Sequence, residues 1–295
     1  MKLFKLMRLV RARLRRRFGV APLAQSMPDL QAWWISPLGQ AFLDEQKRLL
    51  DAQLQDLFGF YLIQMSVDTS QDLTQSSRIG HRINLYPPIG YRQPSSFASA
   101  ATGSSRLSPL VAEQHLLPLP DESVDLVVVH HLLDFSQRPH QILREVQRVL
   151  IPRGRVIVIG FNPRSPWGIL GRMLCLFASR PLWRRQNLYL HRLKDWCHLL
   201  DLELVSLQRG FYQPPIQHQG LLKSLKFLDT WGAKFNLPGG GFYLVQACKQ
   251  VTGAIAVRPD WEIKTRSLPG LGVKPLRCCK PGKEIETYIF IDENQ

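Results

Sequence analysis

Along residues 29–58 apolar side chains recur at helical intervals (Leu38, Phe42, Leu49, Leu50, Leu54, Leu57), while Asp44 and Arg48 stand four apart on the polar side. That spacing predicts a helix. Residues 60–67 read as a strand, and 84–109 are rich in Pro, Ser, Ala and Gly, which favours loop over helix. From residue 111 the pattern sharpens. Residues 123–129 read as a buried strand, 139–150 as an amphipathic helix opened by Pro139, and 155–160 as a second buried strand. Two β-branched runs joined by one helix make a βαβ unit, and so a parallel sheet. A helix over 190–200, a strand over 203–208, a helical stretch over 221–235 and a strand over 241–248 follow, both late strands open to edge or antiparallel pairing. After Val251 the periodicity fades among Pro259, Pro269, Gly270, Gly272, Pro275, Pro281 and Gly282.

Charge changes this picture in two places. The chain of 295 residues carries a net charge of +15. Residues 1–17 hold eight bases and no acid, and residues 164–194 hold seven bases and no acid, so these two segments account for the whole excess. In the first, Leu3, Met7, Val10, Leu14 and Phe18 draw an apolar stripe along a basic helix, a pattern suited to a membrane surface or a partner helix. In the second, arginines alternate with Trp167, Phe177, Trp183 and Tyr189, which suits phosphate, carboxylate, nucleic acid or an anionic membrane. A solvated helical face is the plainer reading of either segment. No run approaches the ~20 apolar residues that span a bilayer. The five cysteines are odd in number and form no C-x-x-C, which argues against a disulfide framework or a zinc site and for a reducing, cytoplasmic compartment.

The run Leu117-Pro-Leu-Pro-Asp-Glu-Ser-Val-Asp-Leu-Val-Val-Val-His-His, continued by Pro139-His-Gln-Ile-Leu-Arg-Glu-Val-Gln-Arg-Val-Leu-Ile-Pro-Arg-Gly154, resembles the second half of class I S-adenosylmethionine-dependent methyltransferases of the type 11 kind. Leu117, Pro118, Ser123, Asp125, Arg148, Val149, Leu150, Pro152 and Gly154 fall on that family's pattern, and Gly160–Gly168 looks like a bacterial subgroup of it. The resemblance covers about 110–248. It implies a doubly wound α/β fold, a mostly parallel Rossmann-like sheet with an antiparallel edge strand, over residues 29–250. A basic extension (1–28) and an irregular tail (251–295) would flank it.

The resemblance also implies S-adenosyl-L-methionine as cofactor. The family's glycine-rich turn aligns with Ile63–Ser70, where Ser66, Asp68 and Ser70 stand at the glycine positions and Gln64 at the acid's. The acid that normally ends the next strand is missing from Asn84-Leu-Tyr-Pro-Pro88, whereas Glu113, with Gln114 beside it, takes the place of the adenine-binding acid. The cofactor-binding set is then Ser66, Asp68, Glu113 and Gln114. His130 and His131 end a strand where the family often carries His, and either is a candidate general base. Adjacent histidines facing opposite ways to cap a turn are the alternative. Asn162, Arg164 and Trp167 are candidates for the methyl acceptor, Asn162 equally for shaping the turn before Pro163. Two functions stay open. One is a methyltransferase for a small or anionic acceptor. The other is a non-catalytic, methyltransferase-like domain that binds a membrane, nucleic acid or protein through residues 1–17 and 164–194.

Overall fold

The computed structural model describes residues 23–68, 71–88, 107–166, 188–214 and 237–250, together with 168, 169, 171, 185, 186, 227, 229, 231 and 232. The N-terminal basic extension, Ser70, Trp167, most of 221–235 and the tail after 250 lie outside the described residues.

Two helices, α1 (Leu23–Ile35) and α2 (Pro37–Leu54), replace the single helix expected over 29–58. The break follows from Pro37, which holds the residue before it in extended backbone, and Ser36 sits at φ −64°, ψ 152°. The Ser36 hydroxyl caps α2 by accepting from Gly39 N at 3.1 Å and donates to Trp33 O at 2.6 Å. The helices pass so closely that a Cβ on Gly39 would lie 2.1 Å from the Trp33 carbonyl oxygen. The inner face of α2 buries Leu38, Phe42, Gln46, Leu50 and Leu54, four residues apart, so one glutamine interrupts an apolar stripe.

Seven strands follow: β1 (Tyr61–Ser66), β2 (His81–Tyr86), β3 (Leu107–Val111), β4 (Val124–His130), β5 (Leu150–Phe161), β6 (Leu202–Gly210) and β7 (Phe242–Lys249). They form one sheet in the order β3-β2-β1-β4-β5-β7-β6. The first five run parallel, and β7 is antiparallel to both of its neighbours. The stretch expected as loop over 84–109 thus contributes the end of β2 and the start of β3. Between β4 and β5 lie the short α3 (Leu132–Phe135) and the crossover helix α4 (Pro139–Val149), and α5 (Leu190–Leu199) precedes β6.

β5 begins at Leu150, five residues before the expected Arg155. Leu150 pairs with Val124 and Arg155 with Leu126, so extra residues bulge out where Arg153 adopts φ 66°. The motif residues of this half hold the scaffold. Arg148 donates to Leu119 O and Leu117 O, both at 2.9 Å, and pairs with Asp121 and Glu145, while Glu145 accepts from Leu117 N at 3.0 Å. The loop entering β4 is thereby clamped to α4. Asp125 accepts from Phe60 N and Tyr61 N, each at 2.9 Å, and ties the start of β1 to β4.

Candidate functional site

In an open parallel sheet the ligand crevice lies beyond the carboxyl ends of the strands, where the strand order reverses. Here the reversal falls between β1 and β4, whose last residues Ser66 and His130 are register partners. The polypeptide leaves β4 through His131, which takes a left-handed φ of 53°, a conformation costing a non-glycine residue on the order of 1 kcal/mol. That turn aims both histidine rings at α2.

The two rings stand edge to face, 4.6 Å apart, and both meet Gln46. His130 Nδ1 lies 2.9 Å from Ser66 Oγ and its Nε2 2.9 Å from Gln46 Oε1. His131 Nε2 lies 2.7 Å from Gln46 Nε2, and its Nδ1 3.1 Å from Asp134 Oδ2. All four ring nitrogens are engaged. Asp134 Oδ2 also accepts from Phe161 N at 2.9 Å, and Asp134 Oδ1 has no hydrogen-bond partner among the described residues. Trp34 covers the pair at 5.7 Å from each ring, and Phe161 stacks on His131 at 4.0 Å. The histidines are 2% and 1% exposed. They face one shared amide beneath α1 and α2, neither diverging nor standing at the rim of a cleft.

Burial dominates the electrostatics. It drives both histidines well below 6.5, helped at His130 by the neighbouring His131 and at His131 by Arg185, so both rings are neutral at pH 7. The same burial raises the Asp134 carboxyl to about 7, against the Phe161 N–H and Arg185, which favour its ionised form. With Asp134 ionised one proton pattern satisfies the chain. His131 Nδ1–H donates to Asp134, Gln46 N–H to His131 Nε2, His130 Nε2–H to Gln46 Oε1, and Ser66 O–H to His130 Nδ1. A proton on Asp134 permits the reverse pattern, with the Gln46 amide turned over. The cluster thus admits two hydrogen-bond patterns, one for each protonation state of Asp134.

Ser66 (3% exposed), the last residue of β1, and Asp68 (5%), two residues beyond it, lie buried. Gln64, inside β1, holds the following loop instead of a ligand: its Nε2 donates to Gln71 O at 2.6 Å and its Oε1 accepts from Leu73 N at 2.9 Å. Tyr86 closes β2, and its hydroxyl accepts from Asn84 Nδ2 at 3.1 Å. Beyond β3, Glu113 is half exposed beside His115, and Gln114 is half-buried. Ser66, Asp68, Glu113 and Gln114 thus share one edge of the sheet. A carboxylate at each end of this edge fits a cationic sulfonium cofactor that also bears an ammonium and an adenine amine. The β2 end supplies no carboxylate. The Ser66 hydroxyl is shared with His130.

Past β5, Asn162 spends its side chain on the scaffold: Nδ2 donates to Pro238 O and Gly240 O, both at 2.8 Å, and Oδ1 accepts from Arg164 N at 3.1 Å. Of its two readings, the structure realises the turn-shaping one. Arg164 projects to solvent with its guanidinium carbon 5.9 Å from the Tyr189 ring centre. Gln46 and Asp134 were absent from the sequence-based candidates. The signal for Gln46 was the polar residue at the middle of the α2 stripe; Asp134 carried none, because the loop after β4 has no periodicity.

A family model described as a methyltransferase domain matches residues 93–158. The uncharacterized protein YafS of Escherichia coli (strain K12) is 26% identical over 204 residues, which is 68% of this chain and 77% of that one. Among solved structures, an S-adenosylmethionine-dependent methyltransferase of Thermotoga maritima, named a possible histamine N-methyltransferase, superposes with a TM-score of 0.54 at 15% identity, covering 76% of this chain and 95% of that one. A likeness at that identity speaks for the fold. Residues 93–158, spanning β3, β4 and α4, thus resemble a methyltransferase domain, and the sheet has the fold of a solved methyltransferase structure.

Proposed function

We propose that the chain is an S-adenosylmethionine-dependent methyltransferase whose cofactor lies along the β1–β3 edge and whose acceptor approaches from beyond β5. The observation that carries the reading is the match of a methyltransferase-domain model to residues 93–158, which takes in β3 and β4, in a sheet that sets Asp68 past β1 and Glu113 past β3 along one carboxyl edge. Asp68 and Ser66 would hold the methionine portion, and Glu113 with Gln114 the adenine. The bound cofactor supplies an electrophilic methyl group. The protein's share is to orient the reactants and keep water out, the main source of rate in a direct displacement. His130 and His131 serve in this reading as proton holders: the proton shared by His131 and Asp134 sets, through Gln46, which way Ser66 points its O–H. A cytoplasmic location belongs to the proposal and rests on the cysteine pattern.

Titration calorimetry with S-adenosylmethionine and S-adenosylhomocysteine tests it. Micromolar binding is expected, weakened about ten- to a hundredfold by Glu113→Ala through loss of one charge-assisted bond. A folded sample that gives no heat up to millimolar cofactor overturns the reading. It would favour instead a non-catalytic domain, which the mutual satisfaction of Ser66, His130, Gln46 and His131 supports. No helix among the described residues is long and apolar enough to cross a membrane.

A further inference from the structure

Ser66, His130, Gln46, His131 and Asp134 form one unbroken hydrogen-bonded chain, with steps of 2.9, 2.9, 2.7 and 3.1 Å. It starts at the last residue of β1 and ends at the short helix after β4. Each neutral histidine has one donor and one acceptor nitrogen, and the Gln46 amide turns one of each to the pair. No member can reverse alone. Two donors or two acceptors would then face each other at a buried contact, leaving a polar group unsatisfied. The structure holds one of the two directions: Gln46 turns its nitrogen to His131 and its oxygen to His130, the pattern of an ionised Asp134.

Both ends of the chain are defined. Asp134 Oδ2 accepts from Phe161 N at 2.9 Å, and the Asp134 carbonyl accepts from Gln186 N at 2.6 Å. Asp134 Oδ1 meets no hydrogen-bond partner among the described residues, so a proton on the carboxyl sits on Oδ2, facing His131. The charged and titratable groups that face Asp134 are His131, Arg185 ahead of α5 and Tyr243 on β7. Arg185 favours the ionised carboxyl, while burial keeps Tyr243 and the nearby Cys197 of α5 neutral. At the other end, His130 is the one side-chain partner of the Ser66 hydroxyl among the described residues. With Asp134 ionised, Ser66 donates to His130 and shows only lone pairs to a ligand. With Asp134 protonated, Ser66 accepts from His130 and shows its O–H instead.

We propose that this chain is a proton-controlled relay: its ionised form makes Ser66 an acceptor for the cofactor's ammonium group, so that cofactor binding expels a proton from Asp134. Asp68, two residues past Ser66, brings a carboxylate to the same end of the edge, and two acceptors suit a cation. The Asp134 carboxyl, raised by burial to about 7, places the exchange at neutral pH. Gln46 and Asp134 are in this sense positioning residues, acting on the ligand through Ser66. The ammonium half of the inference deepens the transferase reading and rests on it; the relay itself stands on the geometry of the chain.

Two measurements on the full chain test it. Nitrogen NMR of histidine-labelled protein without cofactor reads the tautomer of His130. Its proton is expected on Nε2 at pH 8 and on Nδ1 at pH 6, whereas Asp134→Asn keeps one tautomer throughout. A tautomer that stays fixed in the wild type, or moves equally in Asp134→Asn, overturns the relay. Calorimetry with S-adenosylhomocysteine, which carries the same ammonium, reads the ligand. From pH 8 to pH 6 the wild-type affinity should fall about tenfold more than that of Asp134→Asn, the drop set by linkage to one carboxyl titrating at about 7. Ser66→Ala should keep the tautomer exchange and lose this extra drop. An equal drop in the wild type and either variant overturns the role of Ser66. A folded protein that binds no S-adenosylhomocysteine overturns the transferase reading and the ammonium half with it, and the tautomer alone then decides the relay.

Discussion

Two polar clusters stand at the carboxyl edge of the same sheet and solve opposite problems. At the β1–β4 reversal, Ser66, His130, Gln46, His131 and Asp134 are buried and bonded to one another. Beyond β5, Arg164, His191 and Lys194 are exposed around a cavity with no carboxylate in its wall. The first cluster completes its hydrogen bonds internally, so its removal acts on folding. In the second, neither Arg164 nor Lys194 pairs with a described carboxylate, so its removal acts on what binds.

The sharpest way to break this contrast is Gln46→Leu, a change of similar volume that strips a partner from two buried ring nitrogens. At roughly 1–3 kcal/mol per orphaned group it should cost about 2–6 kcal/mol, read as a lower urea midpoint at an unchanged m value. A loss under 1 kcal/mol would mean that the relay contributes little to the fold.

Acid titration sharpens the comparison. Below pH 6.5 the unfolded chain binds a proton on each of His130 and His131 that the folded chain does not, so stability falls on acidification. Asp134 acts in the opposite direction. Its folded carboxyl, at about 7, holds a proton that the unfolded one releases down to 3.8, and this contribution is lost as pH rises through 7. Between pH 5 and 6 the two histidines and the one carboxyl therefore pull stability in opposite directions. Asp134→Asn removes the opposing contribution, and the loss of stability on acidification should become steeper. Urea unfolding of both proteins at pH 5, 6 and 7 measures it, and parallel slopes would refute the assignment.

The smallest expected effect is at the other cluster. Lys194→Ala should change unfolding free energy by less than about 0.5 kcal/mol, since it breaks no ion pair with a described carboxylate. A larger loss would make the cation structural and erase the contrast.

The legibility of these regions in sequence follows the same division. β4, α4 and β7 fell within one or two residues of expectation because buried runs and an amphipathic helix announce themselves through their periods. The break at Ser36 was written in Ser36-Pro37 and Gly39, but the apolar spacing ran across it and hid it. In the sequence, Glu145 and Arg148 are simply three residues apart on one helix face. Their grip on Leu117 and Leu119 depends on a loop folding back along α4, which no local pattern encodes. All four candidate cofactor residues lie at or just past the ends of β1 and β3, where strand order does the placing. The basic cavity was only half visible: Arg164 stood out within a charged segment, whereas Arg209 joins it solely because β7 turns the chain back and brings β6 alongside.

That insertion of β7 has a consequence during synthesis. Among the described residues the outer edge of β5, Val156-Ile-Val-Ile-Gly-Phe161, pairs only with β7, and β6 has β7 as its one neighbour in the sheet. Until residues 242–249 have left the ribosome, the nascent protein presents an apolar strand edge with every other N–H and C=O unmatched, and this state lasts while the intervening 80 or so residues are made. Such an edge is a template for pairing with another chain. The strand that closes the sheet last thereby governs how long each newly made molecule must be sheltered from its neighbours.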